Sequence, residues 1–195
     1  MMRTIVFATN NPNKVEEVRA IVGREYHIIS LKDAGIHIDI PEPHDTLEKN
    51  AAEKSGTIYR LTGSNCFSED TGLEVEALNG VPGVKSARYA GEHSSSTDNV
   101  NKLLAELADT NNRKARFRTI ISLIFDGKEH QFEGVCNGTI TLKPSGDAGF
   151  GYDPVFIPDG ASATFAEMTL DEKNRFSHRK KAMRQLLSFL SLAGK

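Results

Sequence analysis

Carboxylates beside a turn signal are the residues of this chain best suited to chemistry. Glu69 and Asp70 follow a short strand-like run, Asn65 to Ser68, and precede Thr71-Gly72. Carboxylates at the carboxyl end of a strand open into the crevice where α/β proteins place ligands. Neighbouring strand residues face opposite ways, so a turn is expected here to aim the pair. Glu42 lies between Pro41 and Pro43, in a stiff extended segment that could present it to the same cation. Mg2+ binds through one or two carboxylates plus substrate phosphates, and a further carboxylate can activate water. Taken singly, each acid reads more plainly as a turn or solvated loop residue.

Ligand-binding chemistry has three more candidates. Thr9-Asn10-Asn11-Pro12-Asn13-Lys14 joins an apolar run to a helical pattern. Backbone N–H groups at a helix start, with the Lys14 ammonium beside them, suit a phosphate, although every helix start offers such groups. Gly149-Phe150-Gly151-Tyr152-Asp153-Pro154 sets an aromatic between glycines. There the backbone can approach a ligand closely and an exposed ring can stack on a base. Lys173 precedes Ser177, the expected cap of the last helix, which puts His178 and Arg179 in its first turn. A cation there opposes the helix dipole, so local structure gives Arg179 little reason to be present.

Charge is unevenly placed. Asp33 to Glu53 holds six acids and one base, Lys49, whereas Lys173 to Arg184 holds six bases and no acid. Two solvated helix faces would account for this. So would a divided site, with carboxylates for a metal on one side and cations for phosphates on the other. The whole chain is close to neutral, 24 Lys+Arg against 26 Asp+Glu, which argues against a dedicated nucleic-acid binder. At 195 residues, 38% apolar and 26% charged, the composition suits one soluble domain, 1–195, able to bury a core and form a cleft. No apolar run approaches the ~18 residues a membrane span needs. Met1-Met2-Arg3-Thr4 lacks a signal-peptide pattern. Cys66 and Cys136 lack metal-ligand spacing and read as buried thiols of a reducing, cytoplasmic compartment.

The elements that must position these residues alternate in type. Arg3 to Ala8 reads as a strand, and Val15, Val18, Ala20, Ile21 and Val22 as a helix ending at Gly23. His27 to Leu31 is a second strand, 33–45 a loop, and Thr46 to Leu61 a helix capped by Asp45 or Thr46. Asn65 to Ser68 and Leu73 to Ala77 read as strands separated by the Glu69-Asp70-Thr71-Gly72 turn. A helix follows over Asp98 to Leu107, then strands Arg116 to Phe125 and Glu129 to Cys136 around Asp126-Gly127, a hairpin signal. Thr139 to Leu142 and Pro154 to Ile157 are strand-like, and a last helix spans Ser177 to Leu192. The pattern is α/β, a mixed sheet flanked by helices.

Several motifs occur in a telling order. Thr9-Asn10-Asn11-x-x-Lys14, Asn50-Ala51, Glu69-Asp70-Thr71-Gly72-Leu73 and Pro82-Gly83-Val84-x-Ser86-Ala87-Arg88-Tyr89-Ala90-Gly91 come first. Gly149-Phe150-Gly151-Tyr152-Asp153-Pro154, Phe165-Ala166-Glu167-Met168, Glu172-Lys173-Asn174 and Ser177-His178-Arg179 follow. Together, over residues 3 to about 190, they strongly resemble the inosine/xanthosine triphosphate pyrophosphatases. That resemblance implies an elongated α/β fold with a long central mixed sheet, two lobes and a nucleotide cleft between them. It implies hydrolysis of ITP, dITP and XTP to monophosphate and pyrophosphate, with Mg2+, in a homodimer. Carried over, Thr9, Asn10, Asn11, Pro12, Asn13 and Lys14 bind phosphates, and Asp70 is proton acceptor and metal ligand. Glu42 and Glu69 are metal-side carboxylates, and Thr71 contacts substrate. Phe150, Gly151, Tyr152, Asp153, Lys173, His178 and Arg179 form the base and ribose side. Two positions depart from the family pattern: Glu69 stands where many bacterial members carry Asp, and His44 where Gly is usual. The competing readings are a nucleotide sensor without catalysis and a hydrolase of modified pyrimidine triphosphates.

Overall fold

The computed structural model describes residues 3–22 and 26–193. In chain order the main elements are β1 (Arg3–Phe7), α1 (Pro12–Val22), β2 (Tyr26–Ser30), α2 (Leu47–Thr62), β3 (Cys66–Val75) and β4 (Pro82–Gly83). Then come α3 (Ser96–Glu106), β5 (Lys114–Phe125), β6 (Lys128–Ile140), β7 (Phe156–Pro158), α4 (Leu170–Phe176) and α5 (His178–Ala193). The strands form one mixed sheet in the order β2-β1-β3-β5-β6-β7, with β4 paired to β3. The chain divides into two compact units, and β3, β5 and β6 contribute residues to each.

The first unit takes residues through Asp70, Thr119–Gly134 and Arg179 onward. Its β-branched runs at β1 and β2 pair in parallel, Ile5 opposite Ile28, and β1 pairs in parallel with β3, Phe7 opposite Phe67. The Phe7 and Phe67 rings stack at 4.5 Å. Ala182, Met183, Leu186 and Leu190 share one face of α5 and join Phe7, Val18 and Ile121 in a core. Thr46 caps α2 by accepting the Lys49 N–H, and Gly63 ends it at φ +64°. Asp126 and Gly127, both at positive φ, form the tight hairpin turn between β5 and β6.

The second unit takes Thr71–Arg118 and Val135–His178. Val100 and Leu103 of α3 pack with Leu73, Phe117, Phe156 and Phe165 in its core. Ser95 caps α3 in a reciprocal pair with Asp98.

Four expectations change. β3 runs unbroken through Glu69-Asp70-Thr71-Gly72, so no turn aims the two acids. β6 likewise runs through Gly138 instead of ending at Cys136. Helix α4 is additional, started by a Thr169–Glu172 capping box, and Ser177 closes it one residue ahead of α5. Ser96 and Thr97 lie within α3 and not ahead of it. The stop expected at Gly23 lies outside the described residues.

Candidate active site

An unbroken β3 sends Glu69 and Asp70 to opposite faces of the sheet, because side chains alternate along a strand. Each acid has its own partners, all within the first unit. Asp70 faces α2, where Asn50 and Lys54, one helical turn apart on the buried face, both reach it. Lys54 Nζ donates to Asp70 Oδ1 at 3.2 Å, and Asn50 Nδ2 donates to Oδ2 at 3.4 Å. The same ammonium is ion-paired with Glu42 Oε1. Glu42 and Asp70 therefore converge on one cation. Burial pushes the Asp70 carboxyl above its ordinary range, and the neighbouring Glu42 charge adds to this against the opposing pull of Lys54. Burial would lower the Lys54 pKa, but its two carboxylates outweigh that and raise it.

On the opposite face Glu69 meets a fork. Arg179 Nε and Nη2 donate to its two oxygens, each at 2.7 Å, and Nη1 pairs with Glu17. Lys14 Nζ lies 3.2 Å from Glu69 Oε1. Burial alone would raise the Glu69 pKa; the Arg179 and Lys14 charges overcome it and hold the carboxyl at about 2. Arg179 is 1% exposed. Two carboxylates reached from β3 and α1 thus answer why a cation stands in the first turn of α5, which its helix dipole alone disfavours.

The turn before α1 is internally capped. Asn11 Oδ1 accepts the N–H groups of Asn13 and Lys14, Thr9 Oγ1 accepts the Asn11 N–H, and Pro12 has no N–H. Asn10 Nδ2 donates to the Ile38 carbonyl at 2.9 Å. What this turn can offer a phosphate is chiefly the Lys14 ammonium and the polar side chains, since its first-turn N–H groups already have an acceptor.

In the second unit, Asp153 Oδ2 accepts the Phe150 N–H at 2.8 Å and Lys173 Nζ at 2.6 Å. That ammonium lies 5.1 Å from the centre of the Phe150 ring, so one lysine braces the loop and the aromatic together. Gly149, at φ +76°, passes so close to the Asp153 carboxylate that a Cβ would collide with it. Tyr152 is a core residue, its hydroxyl donating to the Ser86 carbonyl at 2.9 Å. His178 is buried and stacked on Phe117 at 4.8 Å. Gly151 and Phe150 are half-buried, as is Thr71 on β3.

Among the described residues, no group of three or more His, Cys, Asp and Glu side chains gathers as a metal cage. Two convergent carboxylates, Glu42 and Asp70, do fit the donor set of a hard divalent cation that keeps waters and phosphate oxygens as its other ligands. Sequence reasoning misses Lys54 and Glu17 and gives Asn50, quoted in the Asn50-Ala51 motif, no role, because charged and amide residues at helical spacing read as a solvated face. The usable signal is the spacing of Asn50 and Lys54, four residues apart beside the acid-rich segment.

The model of the Ham1 family matches residues 5–189. A dITP/XTP pyrophosphatase of Porphyromonas gingivalis is 50% identical over 193 residues, covering 98% of this chain and 100% of the relative. One from Flavobacterium psychrophilum is 49% identical over 185 residues, covering 95% and 97%. The solved Ham1 protein of Staphylococcus aureus superposes with a TM-score of 0.87 at 37% identity, covering 97% of this chain and 98% of that one. With family model, relatives and a solved structure all matching over nearly its full length, the chain belongs to the Ham1 family.

Proposed function

We propose that this chain hydrolyses noncanonical purine nucleoside triphosphates, ITP, dITP and XTP, to the monophosphate and pyrophosphate, clearing them from the nucleotide pool before incorporation into DNA or RNA. The observation that carries the reading is the convergence of buried Asp70 and Glu42 on Lys54, in a chain 50% identical to a dITP/XTP pyrophosphatase. Water attacks the α-phosphorus, the bond to the bridging oxygen breaks, and pyrophosphate leaves. Asp70 takes the proton from that water; burial makes it a stronger proton acceptor than an exposed carboxylate. Lys54 holds Asp70 and Glu42 in place, and Lys14 supplies positive charge to the phosphates. Mg2+ held by Glu42 and Asp70 would neutralise charge on the phosphate oxygens. Glu69, expected on the metal side as well, faces the other way along β3 with its oxygens on Arg179 and Lys14. The Phe150 ring stacks on the base, with Gly151, Tyr152, Asp153 and Lys173 shaping its loop. A donor aimed at the 6-keto oxygen rejects the 6-amino group of adenine by leaving two donors facing each other, and such mismatches discriminate by ~10⁴. His178 is the candidate, while Arg179, next in sequence, spends its guanidinium on Glu69 and Glu17. A homodimer working in the cytoplasm completes the proposal, and two buried thiols, Cys66 and Cys136, suit a reducing compartment.

A panel of nucleoside triphosphates with Mg2+ and a pyrophosphate readout tests this. ITP, dITP and XTP turn over and ATP does not, and Asp70→Asn keeps its fold but loses turnover. Orthophosphate release without added pyrophosphatase, or full activity of Asp70→Asn, overturns it. A panel won by modified pyrimidine triphosphates selects the other hydrolase reading.

A further inference from the structure

The segment that carries Glu42 has no strand or helix of its own. Residues 36–46 lie outside every regular element, and Pro41 and Pro43 have no N–H with which to join a sheet ladder. Its early part is tied down: Ile36 N–H donates to the Leu31 carbonyl at 2.8 Å, Asn10 holds the Ile38 carbonyl, and Ile36, Ile38 and Ile40 pack on a core. Beyond Pro43, the His44 ring lies 3.8 Å from Glu53 Oε2, and the backbone is held by a side chain of α2. Asn50 Oδ1 accepts the His44 N–H at 2.9 Å, and Asn50 Nδ2 donates to the His44 carbonyl at 3.1 Å. The second hydrogen of Nδ2 points to Asp70 Oδ2 at 3.4 Å. Asn50 is 0% exposed.

Geometry fixes which atom is which. A backbone N–H requires an acceptor, so the oxygen must face the His44 N–H, and the nitrogen then faces two acceptors. Among side chains of this size only a carboxamide accepts once and donates twice in this arrangement. Asp in its place would set a carboxylate against both the His44 carbonyl and Asp70. We infer that Asn50 is a positioning residue: one carboxamide clamps the Glu42 segment and Asp70 at the same time, and so sets the spacing between the two carboxylates that meet on Lys54. Asn50 touches neither the water nor the phosphates in this assignment; it acts through Glu42 and Asp70. The inference rests on the pyrophosphatase reading for its kinetic consequence, whereas its structural half stands without it.

The experiment has two readouts. Hydrogen–deuterium exchange on metal-free protein reports the clamp directly. In Asn50→Ala, the amides of residues 42–46 exchange at least tenfold faster, with the α5 core unchanged. In kinetic runs on ITP, the Mg2+ concentration for half-maximal activity rises at least tenfold in Asn50→Ala, while the nucleotide KM at saturating Mg2+ moves less than threefold. Asn50→Asp, close in size and expected to fold if the alanine variant does not, keeps an acceptor for the His44 N–H but loses both donations; turnover drops at least tenfold. Unchanged exchange of 42–46, an unchanged Mg2+ requirement, or full turnover in Asn50→Asp overturns the inference. A wild-type chain inert towards ITP, dITP and XTP overturns the substrate reading instead, and leaves the exchange result to decide the clamp.

Discussion

Arg179 shows how a single side chain can be read from two directions. In the sequence it is a cation where the helix dipole disfavours one; in the structure it is buried with its fork on Glu69 and its third nitrogen on Glu17. Bidentate charge-assisted bonds of this kind are among the strongest a protein makes. Breaking a buried pair by removing one partner costs about 3–5 kcal/mol, since the other charge stays behind uncompensated. Arg179→Ala is therefore expected to lose about that much stability in urea unfolding at pH 7. Arg179→Lys keeps the charge without the fork and falls between it and wild type. A loss under about 1 kcal/mol in the alanine variant would mean that the two glutamates find other partners. Asp70 and Arg179 were legible as unusual residues from type and spacing. Lys54 was not: a lysine on an amphipathic helix reads as solvated, and only tertiary structure turns it inward towards Glu42 and Asp70.

At the level of elements, glycine misleads most. Gly72 falls in the turn expected at Glu69-Asp70-Thr71-Gly72, and Gly138 falls between the strands expected to end at Cys136 and to begin at Thr139. In the structure both are inside long strands, at places where another backbone comes close. A Cβ on Gly72 would sit 2.6 Å from the Gly83 carbonyl oxygen, where β4 lies antiparallel to β3 with Leu73 opposite Gly83. Neither glycine is at positive φ, so close approach rather than backbone freedom explains them. Gly72→Ala is expected to destabilise by about 1–3 kcal/mol, the usual cost of forcing atoms into a packed site. Thermal unfolding checks it, and a melting temperature within a degree of wild type refutes the tight packing of β3 on β4. The Asp126-Gly127 turn was legible because its chemistry is local: two residues at positive φ close a hairpin whatever surrounds them. Helix α4 had its own local signal in Thr169-x-x-Glu172, a capping box.

Across the whole molecule, the acid-rich and base-rich segments are not simply two solvated faces. Glu42 from the first meets Lys54, and Lys173 and Arg179 from the second meet Asp153 in the second unit and Glu69 in the first. Net charge near zero hides this, because the pairs cancel within each unit. The consequence is a stability that depends on acid pH in a definite direction. Burial would raise Glu69, yet Arg179 and Lys14 hold it at about 2, down from an ordinary 4.5. A depressed carboxyl contributes stability that is complete above its unfolded pKa and is lost as pH falls through the folded one. At ~1.4 kcal/mol per unit, Glu69 alone is worth a few kcal/mol over that window. Asp70 has the opposite sign, since its pKa is raised, and protonating it on the way down costs nothing. Urea midpoints of the wild-type chain should therefore fall steeply between pH 4.5 and 2. Glu69→Gln removes the titrating group, leaves a lower midpoint at neutral pH because Arg179 loses its anion, and flattens the acid limb. Two curves that run parallel below pH 4.5 would show that other carboxyls, and not the one beneath the Arg179 fork, set acid unfolding.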